Sequence, residues 1–280
     1  MKIVIFVKQG DEKSLKLARD FEAALPESAV REFASANENA ESDFCEKKEE
    51  KGDIFVCFGG DGTILRCLNR AAFCGAKVFA VNTGNLGFLS ALEGNVSPED
   101  ICSAVLSRDT VYEEKPLLRC EAGGKSFYAV NEISVLRSSA NGARSESVNL
   151  GLYIGGCFAD GYLADGLMIA TPTGSTAYSL SAGGAVLAPE LKGLIATAVC
   201  PHTLHNRPIV FCDDAVAEIV LSDKNVCSAA GIYADGRLVA ELLPGERAIV
   251  MKSELTVKIA KGDNFFKKLN KKLQYWGKEG

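Results

Sequence analysis

Residues 56–67, VCFGGDGTILRC, set an acid among glycines where an apolar strand hands over to a helical pattern. Glycines let backbone come close to phosphate oxygens. The helix that follows offers unpaired N–H groups and the positive end of its dipole. The loop lacks the Lys-Ser/Thr pair of a P-loop. It also lacks the G-x-G-x-x-G of dinucleotide-binding Rossmann domains, which argues against a dehydrogenase. Phosphates repel a carboxylate, so Asp61 does not suit a loop that only cradles them. It suits one in which it takes a proton from an attacking hydroxyl or holds Mg²⁺. The alternative is that Asp61 simply caps the helix.

A second cluster spans residues 164–189, ADGLMIATPTGSTAYSLSAGGAVLAP. Asp165 and Gly166 precede a short apolar strand. A loop of hydroxyls and glycine follows: Thr171, Thr173, Gly174, Ser175 and Thr176. Tyr178 then stands among small residues. Small residues let a ligand lie against backbone, and hydroxyls with N–H groups bind phosphates without fixed charge. A tight turn before a closely packed helix would explain the same composition, with Asp165 only a turn residue. In the ligand reading, carboxylates such as Asp165 and Glu132 accept bonds from ribose hydroxyls or an adenine amino group. Asn85, Gly87 and Phe88 lie at the end of a predicted strand, the edge where ligands gather in a parallel sheet. Asn131 and Glu132 form a polar pair inside an apolar strand. Adjacent strand residues face opposite sides, so both meet one ligand only if the strand ends or bends there.

These residues need elements to position them. The first third alternates strand and helix: KIVIFVK, then DEKSLKLARDFEAAL with Leu15, Leu17, Phe21 and Leu25 at helical spacing, then DIFVCF, ILRCLNRAAFC and KVFAVN. Ser97 and Pro98 mark a further helix start. This alternation predicts a Rossmann-like parallel sheet with helices on it. The polar stretch 35–53 reads as a surface loop or a poorly ordered helix. Beyond about residue 113, strand-like segments follow one another, punctuated by Gly123-Gly124 and Asn141-Gly142, and predict a β-rich second domain. A last helix, NFFKKLNKKLQYW, carries Phe265, Phe266, Leu269, Leu273 and Trp276 on one face and should dock. Its lysine cluster, Lys267 to Lys272, reads as a solvated face.

The composition narrows the classes. The chain has 280 residues, a net charge of -5 and 47% hydrophobic residues. That balance gains nothing from the counterion release that drives general nucleic-acid binding. No apolar run reaches the roughly 18–20 residues that cross a bilayer, and the N-terminus has no secretory cleavage site. Ten cysteines without a Cys-x-x-Cys pair read as reduced thiols in a cytoplasmic protein. His202 and His205 form H-x-x-H with no cysteine cluster beside them, which does not make a zinc site.

With GGDGT (59–63), NTGNLGFL (82–89), NE (131–132), DGLMIATPTGSTAYSLSAGG (165–184), CPHTLHNRPIV (200–210) and ADGR (234–237) in this order, the sequence resembles the NAD kinase family. The resemblance implies transfer of the γ-phosphoryl of ATP, or a phosphoryl of polyphosphate, to the 2′-hydroxyl of the adenosine ribose of NAD, with a divalent metal. It implies Asp61 as catalytic base, with Gly62 and Thr63 completing the turn and Arg66 at a substrate contact. Phe88 would lie against adenosine. Asn131, Glu132 and Asp165 would contact NAD, and Thr176, Ala177, Tyr178, Ser179, Leu180 and Ser181 would form the adenine- and ribose-binding segment. Magnesium would be held mainly through the ATP phosphates. The family fold implies an α/β domain of residues 1–112 and 262–280, a β-rich NAD-binding domain of residues 113–261, an active site between them, and a homodimer or homotetramer. Two positions depart from the family pattern: Leu163 replaces a common basic residue, and Arg237 stands where some members have glutamine. The Gly-Gly-Asp-Gly element alone also fits a lipid or sugar-phosphate kinase, or a nucleotide-binding module without activity.

Overall fold

The computed structural model describes residues 1–8, 10–35, 52–84, 87–93, 95–138, 147–203, 206–224 and 228–276. Asn85, His205, the Asn141-Gly142 turn and most of the polar stretch that begins at Ser35 lie outside these residues. The chain divides into two compact units: residues 1–115 with 255–280, and residues 116–254.

The first unit alternates strand and helix as predicted. Its elements are β1 (Lys2–Val7), α1 (Glu12–Ala24), β2 (Val30–Ser35), β3 (Ile54–Phe58), α2 (Asp61–Cys74), β4 (Lys77–Asn82), β5 (Leu92–Glu93) and α3 (Pro98–Leu106). β2 and β5 are not among the segments read from the sequence. The pairs β1–β2, β1–β3 and β3–β4 are parallel, giving the order β2-β1-β3-β4. The far edge of β4 is shared by β5 and by the end of β17 (Arg247–Ala260). Every residue of β3 is buried, as parallel strands covered on both faces require. Helix α2 buries Ile64, Cys67, Leu68, Ala71 and Ala72, one stripe at helical spacing. It stops at Gly75, whose left-handed φ of 68° suits glycine. Ser97 caps α3 by accepting from the Asp100 N–H, with Pro98 in the first turn.

Strand β1 leads through α1 to one side of the sheet, whereas β3 leads through α2 to the other. The loops after β1 and β3 therefore part at the topological switch point, where open α/β sheets bind ligands. The last helix, α5 (Phe265–Trp276), belongs to this unit.

The second unit is antiparallel. It holds most of β6 (Tyr112–Ala122), then β7 (Lys125–Ala129), β8 (Glu132–Arg137), β9 (Val148–Ile154), β10 (Cys157–Ala164), β11 (Gly166–Ala170), a 3₁₀ turn (Gly174–Thr176) and α4 (Tyr178–Ser181). β12 (Gly193–Val199), β13 (Ile209–Cys212), β14 (Ala217–Leu221), β15 (Ala230–Ala234), β16 (Arg237–Leu242) and the first part of β17 follow. Six strands form one sheet in the order β13-β12-β11-β8-β15-β16. β10, β9, β14 and the start of β17 form a second layer. Apolar residues of both layers, among them Val135, Leu150, Tyr162, Leu167, Ile219 and Ile232, share one core.

The segment 126–137 is not one strand. It breaks at Val130 and Asn131 into β7 and β8. Segments 247–252 and 254–260 are, conversely, one continuous strand, β17.

Candidate functional site

In the first unit the glycine-rich turn follows β3 directly. The Gly59 N–H donates to the Val81 carbonyl on β4 at 3.1 Å, fastening the turn to the sheet. A Cβ on Gly59 would meet the Thr63 side chain at 2.7 Å, so Gly59 and Thr63 close the turn together. Gly60 and Gly62 are different. Neither has a positive φ, and a Cβ on either would meet nothing within 4 Å. The packing of the chain does not demand glycine at either position. Asp61 and Gly62 lie in the first turn of α2, where N–H groups have no intrahelical acceptor.

Asp61 is not the cap of its own helix. The N-cap is Gly60, and no side chain bonds there. The Asp61 carboxylate instead accepts from the N–H of Phe88 at 3.1 Å and of Leu89 at 3.4 Å. Gly87 permits this approach, since a Cβ there would strike Asp61 Oδ1. The loop that reaches Asp61 is itself stapled: Asn82 Nδ2 and Ser90 Oγ both donate to Glu93, and Gly84 N–H to Asn82 Oδ1. The N-terminus of α1 meets the same edge. Lys13 Nζ donates to the Thr83 carbonyl at 2.8 Å, and Ser14 Oγ lies 2.5 Å from Thr83 Oγ1. The Asp11 cap of α1 bonds the Ser14 hydroxyl, which holds its carboxyl below the usual value.

The lysine cluster of α5 is not wholly solvated, a correction to its reading as an exposed face. Lys268 is 5% exposed and donates to the carbonyls of Ser90 at 2.6 Å and Phe88 at 3.3 Å. Burial pulls its ammonium below the usual value, while Glu93 and Asp61 oppose that pull. Lys272 reaches Asp61. Phe88 packs on Phe265, ring centroids 5.8 Å apart.

In the second unit, Asp235 organises the polar pair. It sits at φ 49° in the turn between β15 and β16, followed by Gly236 at φ 76°. Its carboxylate accepts from the N–H groups of Val130, Asn131 and Glu132 at 2.8–3.2 Å. Strand β8 begins at Glu132, so Asn131 stands just outside it and both side chains escape the strict alternation of a strand. Glu132 is 6% exposed; burial first, then the neighbouring Asp235, push its carboxyl up to about 8. Asn131 Oδ1 and Glu132 Oε2 are buried and have no hydrogen-bond partner among the described residues. Buried polar atoms rarely stay so, which makes this pair a candidate ligand contact.

The hydroxyl-rich loop packs against the pair. Thr171 Oγ1 donates to the Val130 carbonyl at 2.7 Å and accepts from the Gly174 N–H at 3.1 Å. A Cβ on Gly174 would strike the Asn131 carbonyl, so only glycine lets the two backbones touch. Ser175 Oγ donates to the Pro172 carbonyl and accepts from Leu187. Ser179 bonds Thr197 at 2.9 Å. Ser175 and Ser179 are thus buried and structural, whereas Tyr178 and Ser181 are exposed. Burial, with Cys200, Asp165 and Glu132 adding, raises the Tyr178 phenol. Thr176 donates to Thr173, and Ala177 and Leu180 are half-buried between them.

Asp165 pairs with Arg137 of β8 at 3.1 Å. Leu163 is exposed on β10, so the cation beside Asp165 comes from a neighbouring strand rather than from two residues upstream. Arg66, on α2, and Arg237, at the start of β16, are half-buried.

Sequence reasoning missed Lys272, Asp235 and Arg137. A signal existed for the first: Lys268 and Lys272 fall on the helix stripe of Phe265 and Leu269. For Asp235 the Asp-Gly pair between β-rich segments already spelled a hairpin turn.

A parallel α/β unit with a phosphate-type turn at its switch point, joined in one chain to a β unit with unsatisfied polar groups, fits a nucleotide-dependent phosphotransferase. Residues 3–114 match the ATP-NAD kinase N-terminal domain, and residues 130–262 match the ATP-NAD kinase C-terminal domain. An NAD kinase of Caldicellulosiruptor bescii is 32% identical over 98% of this chain and all of its own length. One of Petrotoga mobilis is 35% identical over 98% of both chains. The fold is also that of two solved structures. An Archaeoglobus fulgidus NAD kinase in complex with ATP has TM-score 0.76 at 24% identity, covering 98% of this chain and 99% of its own. Yeast NADH kinase complexed with NADH has TM-score 0.81 at 22% identity, covering 98% and 88%. The chain belongs to the NAD kinase family and is an enzyme of that kind, phosphorylating NAD to NADP.

Proposed function

We propose that the first unit receives the triphosphate of ATP at Gly59–Thr63, that the second unit binds NAD, and that Asp61 is the base that takes the proton of the 2′-hydroxyl. The observation that carries this reading is the setting of Asp61. It lies in the first turn of a helix, is held by N–H groups of another loop instead of its own helix, and is flanked by Gly60 and Gly62, whose missing side chains leave the backbone open. The ATP in the A. fulgidus structure and the NADH in the yeast structure support the same pair of ligand classes.

Phosphoryl transfer requires alignment and charge neutralisation more than covalent help. The N–H groups of the α2 N-terminus stabilise phosphate oxygens, and Asp61 orients the hydroxyl and accepts its proton as the new P–O bond forms. Asn131 and Glu132 present unsatisfied oxygens to amino or hydroxyl groups of NAD, Asp165 accepts from a ribose hydroxyl, and Tyr178 offers an exposed ring beside them. Arg66, Phe88 and Arg237 are the remaining substrate contacts, and the backbone of Thr176–Ser181 lines the adenine and ribose.

Among the described residues no three His, Cys, Asp or Glu side chains converge on one point. A divalent ion would arrive on the triphosphate, with Asp61 the carboxylate of the phosphate turn, and would supply neutralisation of phosphate charge. Fully buried thiols such as Cys57, Cys67 and Cys120 suit a reducing, cytoplasmic setting. A homodimer or homotetramer is what the family resemblance implies, and light scattering will measure it. Among the described residues no helix is long and apolar enough to cross a membrane.

The test is to incubate purified chain with NAD, Mg²⁺ and either ATP or polyphosphate, and to detect NADP with a coupled dehydrogenase. NADP formed with ATP is the expected outcome. NADP formed from polyphosphate alone would overturn the donor assignment.

A further inference from the structure

Lys272 lies 3.6 Å from Asp61 Oδ2. The same oxygen accepts the Phe88 N–H, and the Phe88 ring lies under the ammonium, 4.2 Å from its centroid. One turn earlier Lys268 is buried on the carbonyls of Phe88 and Ser90, and Phe265 packs on Phe88. Helix α5 is thereby fixed on the loop that holds Asp61 at three successive positions of one face. The lysines differ accordingly: the Lys272 side chain is 20% exposed, whereas that of Lys271, beside it in sequence, is 63% exposed and faces Asp263.

An anionic residue in the middle of a triphosphate-binding turn repels its ligand unless a cation stands beside it. We propose that Lys272 is a positioning residue for phosphoryl transfer, a fixed cation that holds the Asp61 carboxylate in place and offsets its repulsion of the incoming triphosphate. This rests on Asp61 being the base at the phosphate loop. A pair left to solvent would contribute little. Here the aromatic face and the Lys268 anchor hold the ammonium in one place, so little ordering remains to be done when the ligand arrives.

The experiment is steady-state kinetics of Lys272→Met, Lys272→Gln and Lys272→Arg, alone and with Asp61→Asn, with melting temperatures alongside. Lys272→Met and Lys272→Gln are expected to raise KM for ATP and to lower kcat, each by about 10-fold, with KM for NAD within about twofold of the parent. Lys272→Arg restores most of the loss. Melting temperatures stay close to the parent, since Lys268 still anchors the helix. In the Asp61→Asn background the loss of Lys272 adds less than about twofold, because its partner is gone. Parent-like constants in Lys272→Met, an arginine no better than methionine, or full additivity with Asp61→Asn would each overturn the proposal. The failures separate: an active Asp61→Asn removes the base itself, whereas an inactive Asp61→Asn with an unaffected Lys272→Met removes only the role of Lys272.

Discussion

Two carboxylates at the heart of the two units live in opposite surroundings. Asp61 keeps 36% of its side chain exposed, and its polar partners among the described residues are donors or a cation: two N–H groups and Lys272. Glu132 is buried beside another acid, with one oxygen that has no partner among the described residues and its carboxyl raised to about 8. On the proposed reading, the difference separates two tasks. A group that accepts a proton during turnover needs access and companions that suit an anion. A group that recognises a ligand does so best in a dry site where a missing bond is costly, because only the right partner removes that cost.

The contrast breaks most easily at Asp61. Asp61→Asn is expected to lose about 10²- to 10⁴-fold in kcat, the scale of general base catalysis, while calorimetry finds NAD affinity preserved. Near-parent turnover would end the division of labour. Asp235→Ala tests the other side. It removes the acceptor of three backbone N–H groups and should cost about 2–4 kcal/mol of stability in urea unfolding, with NAD affinity falling as Asn131 and Glu132 lose their placement. Asp165→Ala should weaken NAD binding by about 1–3 kcal/mol and leave kcat at saturating NAD little changed. Unchanged affinity by calorimetry would remove Asp165 from the site.

A separate test concerns pH. The Glu132 carboxyl lies near 4.5 when unfolded and near 8 when folded. Between those values the folded chain holds a proton that the unfolded chain releases, so stability falls as pH rises through this window. The slope is at most about 1.4 kcal/mol per pH unit. Glu132→Gln should flatten it when unfolding is measured at pH 5 and pH 8. Parallel curves for parent and variant would show that Glu132 is not the buried acid described.

The sequence revealed the first unit more fully than the second. α1, α2 and α3 announce themselves by periodicity and caps, and Gly59–Thr63 by composition. β10 stayed hidden because most of its residues are exposed and Asp160-Gly161 interrupts it. β13 is short and follows Pro208. The break at Asn131 was illegible because its cause, the Asp235 carboxylate, lies more than 100 residues away. Lys272 shows the same limit: a lysine run reads as solvated until something remote turns one face of it inward. The candidate residues whose types carry chemistry could be named from the sequence, and those that hold them could not.

The second unit is an insertion within the first, entered through β6 and left through β17. A ribosome therefore completes the inserted unit before it has finished the unit that began the chain. The loop around Asp61 gains its Lys268 anchor only with the final helix. A product cut short before residue 265 would retain the whole inserted unit, while the turn that handles phosphate would lack its brace.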